Sequence, residues 1–134
     1  MTDHAQTVQG IYEAFGRGDI EAILERLDPH VAWEGWEDNH ATRGEVPYMV
    51  PLHDRESVRG FFGEVAKIGV RDLQVLDVMA SERQVCVEIR IETERFTDEE
   101  LHLWTFGDDG LVHRFRHYND TAKHIAAARE AVAS

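Results

Sequence analysis

A histidine in the second half of the chain has aromatic neighbours at strand spacing. His102, Trp104 and Phe106 alternate with other residues, which places the three side chains on one face of a strand. A histidine on an apolar pocket wall can donate a hydrogen bond to a developing enolate or move a proton near neutral pH. A solvent-facing or purely structural histidine is the alternative. His102 is the first catalytic candidate.

The last strand pattern carries two further sets of candidates on opposite faces. One set is His113, Phe115, His117 and Asn119; the other is Arg114, Arg116, Tyr118 and Asp120. Only one set lines a pocket unless the strand bends, because neighbouring side chains point to opposite faces. Asp120 also directly precedes the final helix pattern, where it would serve as an N-cap. The residues leave the choice between His117 and Asp120 open.

Aromatic residues in the first half of the chain form either a ligand pocket or an ordinary core. They are Tyr12, Phe15, Trp33, Trp36, Phe61 and Phe62. Tyr12 and Trp33 are the preferred pocket members, because a buried hydroxyl or indole N–H needs a hydrogen-bond partner. The predicted ligand-binding set is Tyr12, Phe15, Trp33, Phe62, Trp104 and Asn119.

The histidines and the cysteine do not form a recognisable metal or cofactor motif. His113 and His117 have the spacing of a helical ligand pair, but on a strand their Cα atoms lie about 13 Å apart. Cys86 is the only cysteine, so no intrachain disulfide can form. We therefore predict neither a metal nor a cofactor.

The charge balance excludes two classes of partner. Fourteen Lys and Arg residues oppose 26 Asp and Glu residues, which gives a formal net charge of -12. Nucleic acids and anionic membranes bind clustered cations, so this chain is predicted to bind neither. No apolar run approaches the roughly 20 residues that a membrane span needs, and the first residues do not resemble a signal peptide. We expect a soluble cytoplasmic protein.

Helical patterns occupy the first half of the chain. Apolar residues one turn apart predict a first helix, capped by Thr2 or Asp3, that carries Val8, Ile11, Tyr12 and Phe15. A second helix follows the cap Asp19 and reaches Leu27, and a third follows the cap Asp54 and ends near Gly69. Residues 31–36 form a short strand, and residues 37–53 read as a long loop.

The second half of the chain alternates with a period of two. Predicted strands cover Leu73–Ala80, Val85–Ile91, Leu101–Phe106 and Leu111–Tyr118, and Thr121–Val132 forms a closing helix. Segregated helices and strands indicate one α+β domain over residues 1–134. Helices on one face of a bent antiparallel sheet leave a pocket between the two layers.

Three motifs, in order along nearly the whole chain, resemble one superfamily. They are Tyr12-Glu-Ala-Phe-Gly-Arg-Gly-Asp19, Val46-Pro-Tyr48 with Arg55-Glu-Ser-Val-Arg-Gly-Phe-Phe62, and Phe115-Arg-His-Tyr-Asn-Asp-Thr121. The chain is similar to SnoaL-like, ketosteroid-isomerase-related proteins of the nuclear-transport-factor-2-like superfamily. The resemblance implies a cone-shaped α+β barrel, with three N-terminal helices on a strongly curved mixed, mostly antiparallel sheet and a short C-terminal helix.

The resemblance also implies where catalytic residues would fall. Against steroid isomerases, the oxyanion tyrosine falls at Ile11, the base aspartate at Gly35 and the oxyanion acid at His102. At two of these three positions, Ile11 and Gly35, the residue has no polar side chain, so steroid isomerisation by the known route is not expected. In SnoaL-like proteins the end of the last strand contributes an acid or base, which here implies His117 or Asp120.

We therefore hypothesise a small-molecule isomerase, cyclase or hydrolase that acts on an apolar carbonyl compound by general acid–base catalysis. His102 would polarise an oxygen, and Asp120 or His117 would move a proton. The alternative is a non-catalytic ligand-binding or interaction protein of the same fold. Under either hypothesis a homodimer through the outer sheet face, which carries Glu88, Arg90 and Glu92, is expected from the resemblance.

Overall fold

This computed structural model describes residues 3–34 and 38–133. These residues contain five α-helices and five strands. The elements are α1 (His4–Arg17), α2 (Ile20–Leu24), β1 (Leu27–Glu34), α3 (His40–Arg43), a 3₁₀ turn (Pro47–Met49), α4 (Arg55–Ala66), β2 (Val70–Ala80), β3 (Gln84–Thr93), β4 (Thr97–Phe106), β5 (Val112–Tyr118) and α5 (Thr121–Ala133).

The five strands form one mixed sheet in the order β1-β5-β4-β3-β2. β1 runs parallel to β5, and every other neighbouring pair is antiparallel. The register of β4 and β5 places His102 opposite His117 and Trp104 opposite Phe115. Two catalytic candidates therefore lie side by side on the same face of the sheet, and the predicted α+β class is confirmed.

The main core lies between the helices and the inner face of the sheet. Val85, Val87 and Ile89 of β3 are fully buried there, as their alternation predicted. Helix α1 packs over β2 and β3, and α4 packs over β1. A second apolar cluster, formed by Ala41, Val46, Tyr48, Met49 and Val65, fills the space next to α5. The helices therefore pack on the sheet through two apolar clusters.

Three aspartates begin helices as the sequence predicts. The side chain of Asp3 accepts a hydrogen bond from the Gln6 backbone N–H, Asp19 accepts from Ala22, and Asp54 accepts from Ser57. Each bond satisfies one of the backbone donors that a helix N-terminus leaves without an intrahelical partner. Gly18 then ends α1 in a left-handed conformation with φ 71°.

Several predicted boundaries are wrong. Helix α2 ends at Leu24, because Leu27 already belongs to β1; Pro29 is tolerated there since β1 is an edge strand. The predicted loop contains helix α3 and the 3₁₀ turn, and Asn39 caps α3 through the Thr42 backbone N–H. Helix α4 ends at Ala66, three residues before Gly69, and Gly69 itself adopts a left-handed conformation beyond the end of the helix. No described helix has the length and apolar character needed to cross a membrane.

Candidate active site

A cavity of about 80 Å³ lies between the helices and the concave face of the sheet. Its wall is mostly apolar and aromatic. Seven residues of the predicted catalytic and ligand-binding sets line it: Tyr12, Phe15, Trp33, Phe62, His102, Trp104 and His117. Four ionisable residues that the sequence analysis did not select belong to it or directly border it: Tyr48, Asp98, Glu100 and His124. The structure thus gathers an apolar space and a set of acid–base groups at one place.

The first group of contacts joins helix α1 to strand β4. The Tyr12 hydroxyl lies 2.6 Å from His102 Nδ1, and His102 Nε2 lies 3.0 Å from Glu100 Oε1. The Trp104 indole N–H donates to the Tyr12 oxygen at 3.2 Å. An indole nitrogen can only donate, and the Tyr12 hydroxyl has no other acceptor among the described residues. The Tyr12 O–H therefore donates to His102 Nδ1, and His102 Nε2–H donates to Glu100.

Burial and hydrogen bonding set the charges of this group. Desolvation raises the pKa of Tyr12 well above its ordinary value, so that its phenol keeps its proton. Desolvation would also raise the pKa of Glu100, but hydrogen bonds from His102 and His124 overcome it and hold the pKa far below its ordinary value. Glu100 is therefore a buried carboxylate that can stabilise a positive charge on His102.

A second group of contacts joins the 3₁₀ turn, helix α5 and the same strand. The Tyr48 hydroxyl lies 2.6 Å from His124 Nδ1. His124 Nε2 lies 3.0 Å from Asp98 Oδ2 and 3.1 Å from Glu100 Oε2. Desolvation lowers the pKa of His124, but its hydrogen bonds to Asp98 and Glu100 outweigh that effect and raise the pKa to about 9. At neutral pH His124 is therefore an imidazolium between two carboxylates.

His117 is the third histidine of the cavity wall and differs from the other two. It is 5% exposed, its ring packs against Phe61, Phe115 and His102, and neither ring nitrogen has a hydrogen-bond partner among the described residues. Burial lowers its pKa to about 3, although Glu100 acts in the opposite direction. A neutral imidazole with unused polar atoms thus faces the cavity.

Trp33 supplies a further unused donor. Its ring is stacked on Phe115 at 4.2 Å between centroids and is 2% exposed. The indole Nε1 is buried and has no hydrogen-bond partner within the described part of the chain. The partner that we expected for a buried indole N–H is therefore not supplied by those residues.

Asn119 and Asp120 do not join this group. Asp120 is exposed and lies outside the cavity wall; its backbone carbonyl accepts from Lys123, and its backbone N–H donates to Asp98 Oδ2 at 3.2 Å. The Asn119 amide contacts Met49 Sδ at 3.4 Å, away from the cavity wall. Strand β5 ends at Tyr118, so only Phe115 and His117 of the alternating sets reach the cavity.

Asp98, Glu100, His124 and Tyr48 are not among the site residues predicted from the sequence. The first two carried a signal, since Asp98, Glu100 and His102 alternate and lie buried on the inner face of β4. A strand that was predicted to begin at Leu101 hid this pattern. Tyr48 and His124 belong to elements far apart in the sequence, and nothing local to either residue predicts their contact.

Two groups of side chains have the ligand types of a metal site. Asp98, Glu100 and His124 bring three ligand atoms within 4.8 Å of one another in the core, and Asp28, Asp109 and His113 do so at the surface. In the buried group each of those atoms already has a hydrogen-bond partner. We therefore describe this group by its hydrogen bonds and assign no metal to it.

The fold and this pocket define the nuclear-transport-factor-2-like class of α+β proteins. A sequence profile of the SnoaL-like domain matches residues 8–128, and the chain belongs to the SnoaL-like domain family. No curated protein matches the chain.

Solved structures repeat this fold over nearly the whole chain. A nuclear-transport-factor-2-like protein of unknown function from Burkholderia pseudomallei is 26% identical, with a TM-score of 0.74 over 96% of this chain and 98% of that one. TerC, co-crystallised with polyporic acid, is 23% identical, with a TM-score of 0.73 over 98% of both chains. A steroid delta-isomerase from Pseudomonas aeruginosa is 16% identical, with a TM-score of 0.74 over 99% of this chain and 90% of that one.

The three positions implied by the resemblance to steroid isomerases have different outcomes. Ile11 is buried in the cavity wall, and its neighbour Tyr12 brings a hydroxyl to the same wall. His102 lies in the cavity as expected. Gly35 lies outside the described residues. The tyrosine hydroxyl is therefore present in the pocket, although it comes from the next residue along α1.

Proposed function

We propose that this protein is a small-molecule enzyme, an isomerase, cyclase or hydrolase, that moves a proton on an apolar carbonyl-bearing substrate. The observation that carries the proposal is the hydrogen-bonded chain from Tyr12 through His102 to Glu100 on the wall of an apolar cavity. Such a chain can accept a proton at one end while a fixed carboxylate stabilises the resulting imidazolium.

The proposed step begins at a carbon next to the substrate carbonyl. The Tyr12 oxygen takes the proton from this carbon while Tyr12 passes its own proton to His102 Nδ1. The electron pair of the broken C–H bond becomes an enolate, and His102 becomes an imidazolium whose Nε2–H still donates to Glu100. Reversal of both transfers at a different carbon gives an isomer with no net gain or loss of protons. Tyr12 never has to persist as a phenolate, which burial disfavours.

Neutral His117 supports the same step from the neighbouring strand. Its ring lies 6.3 Å from the His102 ring, and its nitrogens have no partner among the described residues. A neutral imidazole can donate to a developing oxyanion without adding a second positive charge beside His102. This assignment exchanges the roles expected from the sequence: His102 moves the proton, His117 polarises the oxygen, and exposed Asp120 takes no part.

The direct test is hydrogen exchange at a ketone. We would incubate 2-tetralone in D₂O with the protein and follow deuterium incorporation by mass spectrometry. The wild type should accelerate exchange, and His102→Gln, which keeps an N–H near Glu100 but removes the basic nitrogen, should lower the rate at least about 100-fold. Equal exchange rates for wild type and variant, with both proteins folded, would reject the proposed role of His102.

A non-catalytic ligand-binding protein is the second candidate. The observation that favours it is Gly35, which offers no side chain at the position where the steroid isomerases' base falls. TerC was crystallised with polyporic acid, so this compound is a suitable first binding probe. A ligand that binds and is recovered unchanged, together with no exchange of 2-tetralone, would favour binding alone.

We also propose a homodimer through the outer face of the sheet. Met79 and Leu101 are 51% and 41% exposed on this face, close to the charged series Glu88, Arg90 and Glu92. Alternating charges of both signs let a second copy of the same face pair acid with base. The lone Cys86, which needs no oxidising compartment, fits a cytoplasmic location for the dimer.

A further inference from the structure

Tyr48 occupies a place in the cavity that the proposed proton transfer does not use. It lies in the 3₁₀ turn, is 7% exposed, and forms part of the cavity wall. Its hydroxyl makes one hydrogen bond among the described residues, with His124 Nδ1 at 2.6 Å. The direction of this one bond decides whether the hydroxyl hydrogen is available to a ligand.

The position of His124 fixes that direction. Its Nε2 faces two buried carboxylate oxygens, of Asp98 and Glu100, and must therefore carry a hydrogen. The other nearby cation, Lys123, is half-exposed and lies 4.0 Å from Asp98. A second proton on His124 reduces the uncompensated negative charge in the core, so Nδ1 is also a donor.

A donating Nδ1 leaves the Tyr48 hydroxyl hydrogen without an acceptor. The Tyr48 oxygen accepts from His124, and no described residue lies within hydrogen-bond distance on its donor side. Burial raises the pKa of Tyr48 well above its ordinary value, so the phenol stays protonated. A buried O–H without a partner in a cavity wall is suited to an acceptor on the ligand.

We infer that Tyr48 donates a hydrogen bond to an oxygen of the bound ligand, with His124 holding the Tyr48 hydroxyl in place. This inference rests on the proposed function, because it requires a ligand with an oxygen. It narrows the ligand to an apolar molecule, small enough for the cavity, with a carbonyl, enol or phenol oxygen on the side of the 3₁₀ turn. The same hydrogen bond would strengthen as negative charge develops on that oxygen.

Two probes of similar shape separate a hydrogen bond from packing. We would measure the binding of 4-nitrophenol and 4-nitrotoluene to the wild type and to Tyr48→Phe by calorimetry. Loss of the bond should weaken 4-nitrophenol binding by about 10- to 100-fold and leave 4-nitrotoluene binding within about twofold. Tyr118→Phe, which removes a hydroxyl outside the cavity wall, is the matched control and should change neither affinity.

Other outcomes would overturn the inference. They are an equal loss for both probes, no loss for either, or no binding of 4-nitrophenol to the wild type at millimolar concentration. A measurement on the wild type alone covers the case in which Tyr48→Phe does not fold. With ¹³Cζ-labelled tyrosine, 4-nitrophenol should shift the Tyr48 resonance more than 4-nitrotoluene does, and equal shifts would contradict the inference.

His124 is a positioning residue for Tyr48 and has its own test. His124→Asn keeps an amide donor near Tyr48, whereas His124→Leu removes it. The ratio of the two probe affinities should persist in His124→Asn and fall towards one in His124→Leu; a general loosening of the fold would change both affinities alike. These are binding measurements and do not depend on proton transfer by Tyr12 and His102. A failure of the exchange reaction can therefore be distinguished from a failure of the Tyr48 hydrogen bond.

Discussion

Tyr12 with His102 and Tyr48 with His124 form two similar pairs that meet at the two oxygens of Glu100. In both pairs the hydroxyl lies 2.6 Å from the histidine Nδ1, and the histidine Nε2 points to the carboxylate. The pairs differ in the rest of their surroundings. Trp104 donates to Tyr12, whereas Asp98 adds a second carboxylate beside His124.

This difference gives the two pairs opposite proton directions. The indole N–H of Trp104 turns the Tyr12 hydroxyl towards His102, which can then accept its proton. The second carboxylate favours the protonated form of His124, so that His124 Nδ1–H donates to the Tyr48 oxygen and the Tyr48 hydroxyl hydrogen points elsewhere. Identical residue types at identical spacing therefore serve as a proton acceptor in one place and as a hydrogen-bond donor in the other, because their neighbours differ.

Removal of the shared carboxylate should have the largest effect on stability. Glu100→Gln leaves His124 and His102 with one amide in place of a charge, and we expect a loss of about 3–5 kcal/mol in the free energy of unfolding. Urea denaturation of this variant and of Glu99→Gln, its exposed neighbour on the outer face, gives the comparison. A similar small effect in both variants would show that the two pairs do not depend on Glu100.

Loss of a single tyrosine hydroxyl should separate the two pairs in activity. Tyr12→Phe removes the atom that takes the substrate proton, so kcat for exchange of 2-tetralone should fall about 100-fold or more. Tyr48→Phe removes one donor to the substrate oxygen and should lower kcat/KM about tenfold. Tyr118→Phe should have no effect. Equal losses at Tyr12 and Tyr48 would mean that the two pairs do the same work.

The protonated pair should weaken at alkaline pH. The pKa of His124 is about 9 in the folded protein, whereas an unperturbed histidine, as in the unfolded chain, has a pKa of 6.5. The contribution of His124 to stability is therefore complete below pH 6.5 and is lost as pH rises through 9. The shift corresponds to roughly 3 kcal/mol. Unfolding free energies measured between pH 6.5 and 9 should fall for the wild type and stay flatter for His124→Gln; parallel curves would contradict the assignment.

The neutral histidine His117 should make the protein less stable at mildly acidic pH. The pKa of His117 is about 3 in the folded protein, whereas an unperturbed histidine has a pKa of 6.5. The contribution of His117 to the free energy of unfolding is therefore complete above pH 6.5 and is lost as pH falls. At pH 5.5 this loss amounts to about 1 kcal/mol. In His117→Asn the free energy of unfolding, measured by urea denaturation, should no longer show this loss between pH 6.5 and 5.5, a range in which few carboxylates titrate. An unchanged slope would show that His117 is not buried as a neutral ring.

Disruption of the proposed dimer should have the smallest effect on the two pairs. Leu101→Glu places a charge on the outer face of β4, opposite the face that carries His102, and should convert a dimer to a monomer with little change in exchange activity. Light scattering at micromolar concentration checks this. Val132→Glu, at an apolar residue that is 89% exposed on α5, is the matched control. A monomeric wild type would reject the proposed interface.

Part of the site followed from local patterns. The alternation of His102 with Trp104, and the stripe that carries Tyr12, placed these residues correctly in the cavity wall. Local patterns failed at the start of one strand and at the choice of face in another. The four-residue error at the start of β4 concealed Asp98 and Glu100. The end of β5 at Tyr118 was predicted, but the sequence left open which face of this strand lines the cavity, and Asn119 and Asp120 lie outside the cavity wall.

Spacing and neighbouring residues were enough to predict the α+β class, the caps Asp3, Asp19 and Asp54, and the apolar faces of β3 and β4. The tertiary structure alone decided which tyrosine meets which histidine. Tyr12 and His102 are 90 positions apart, and Tyr48 and His124 are 76 apart, so no local pattern records their contact. It also decided the charges, because the pKa of a histidine follows from its burial and from the carboxylates that the fold brings beside it.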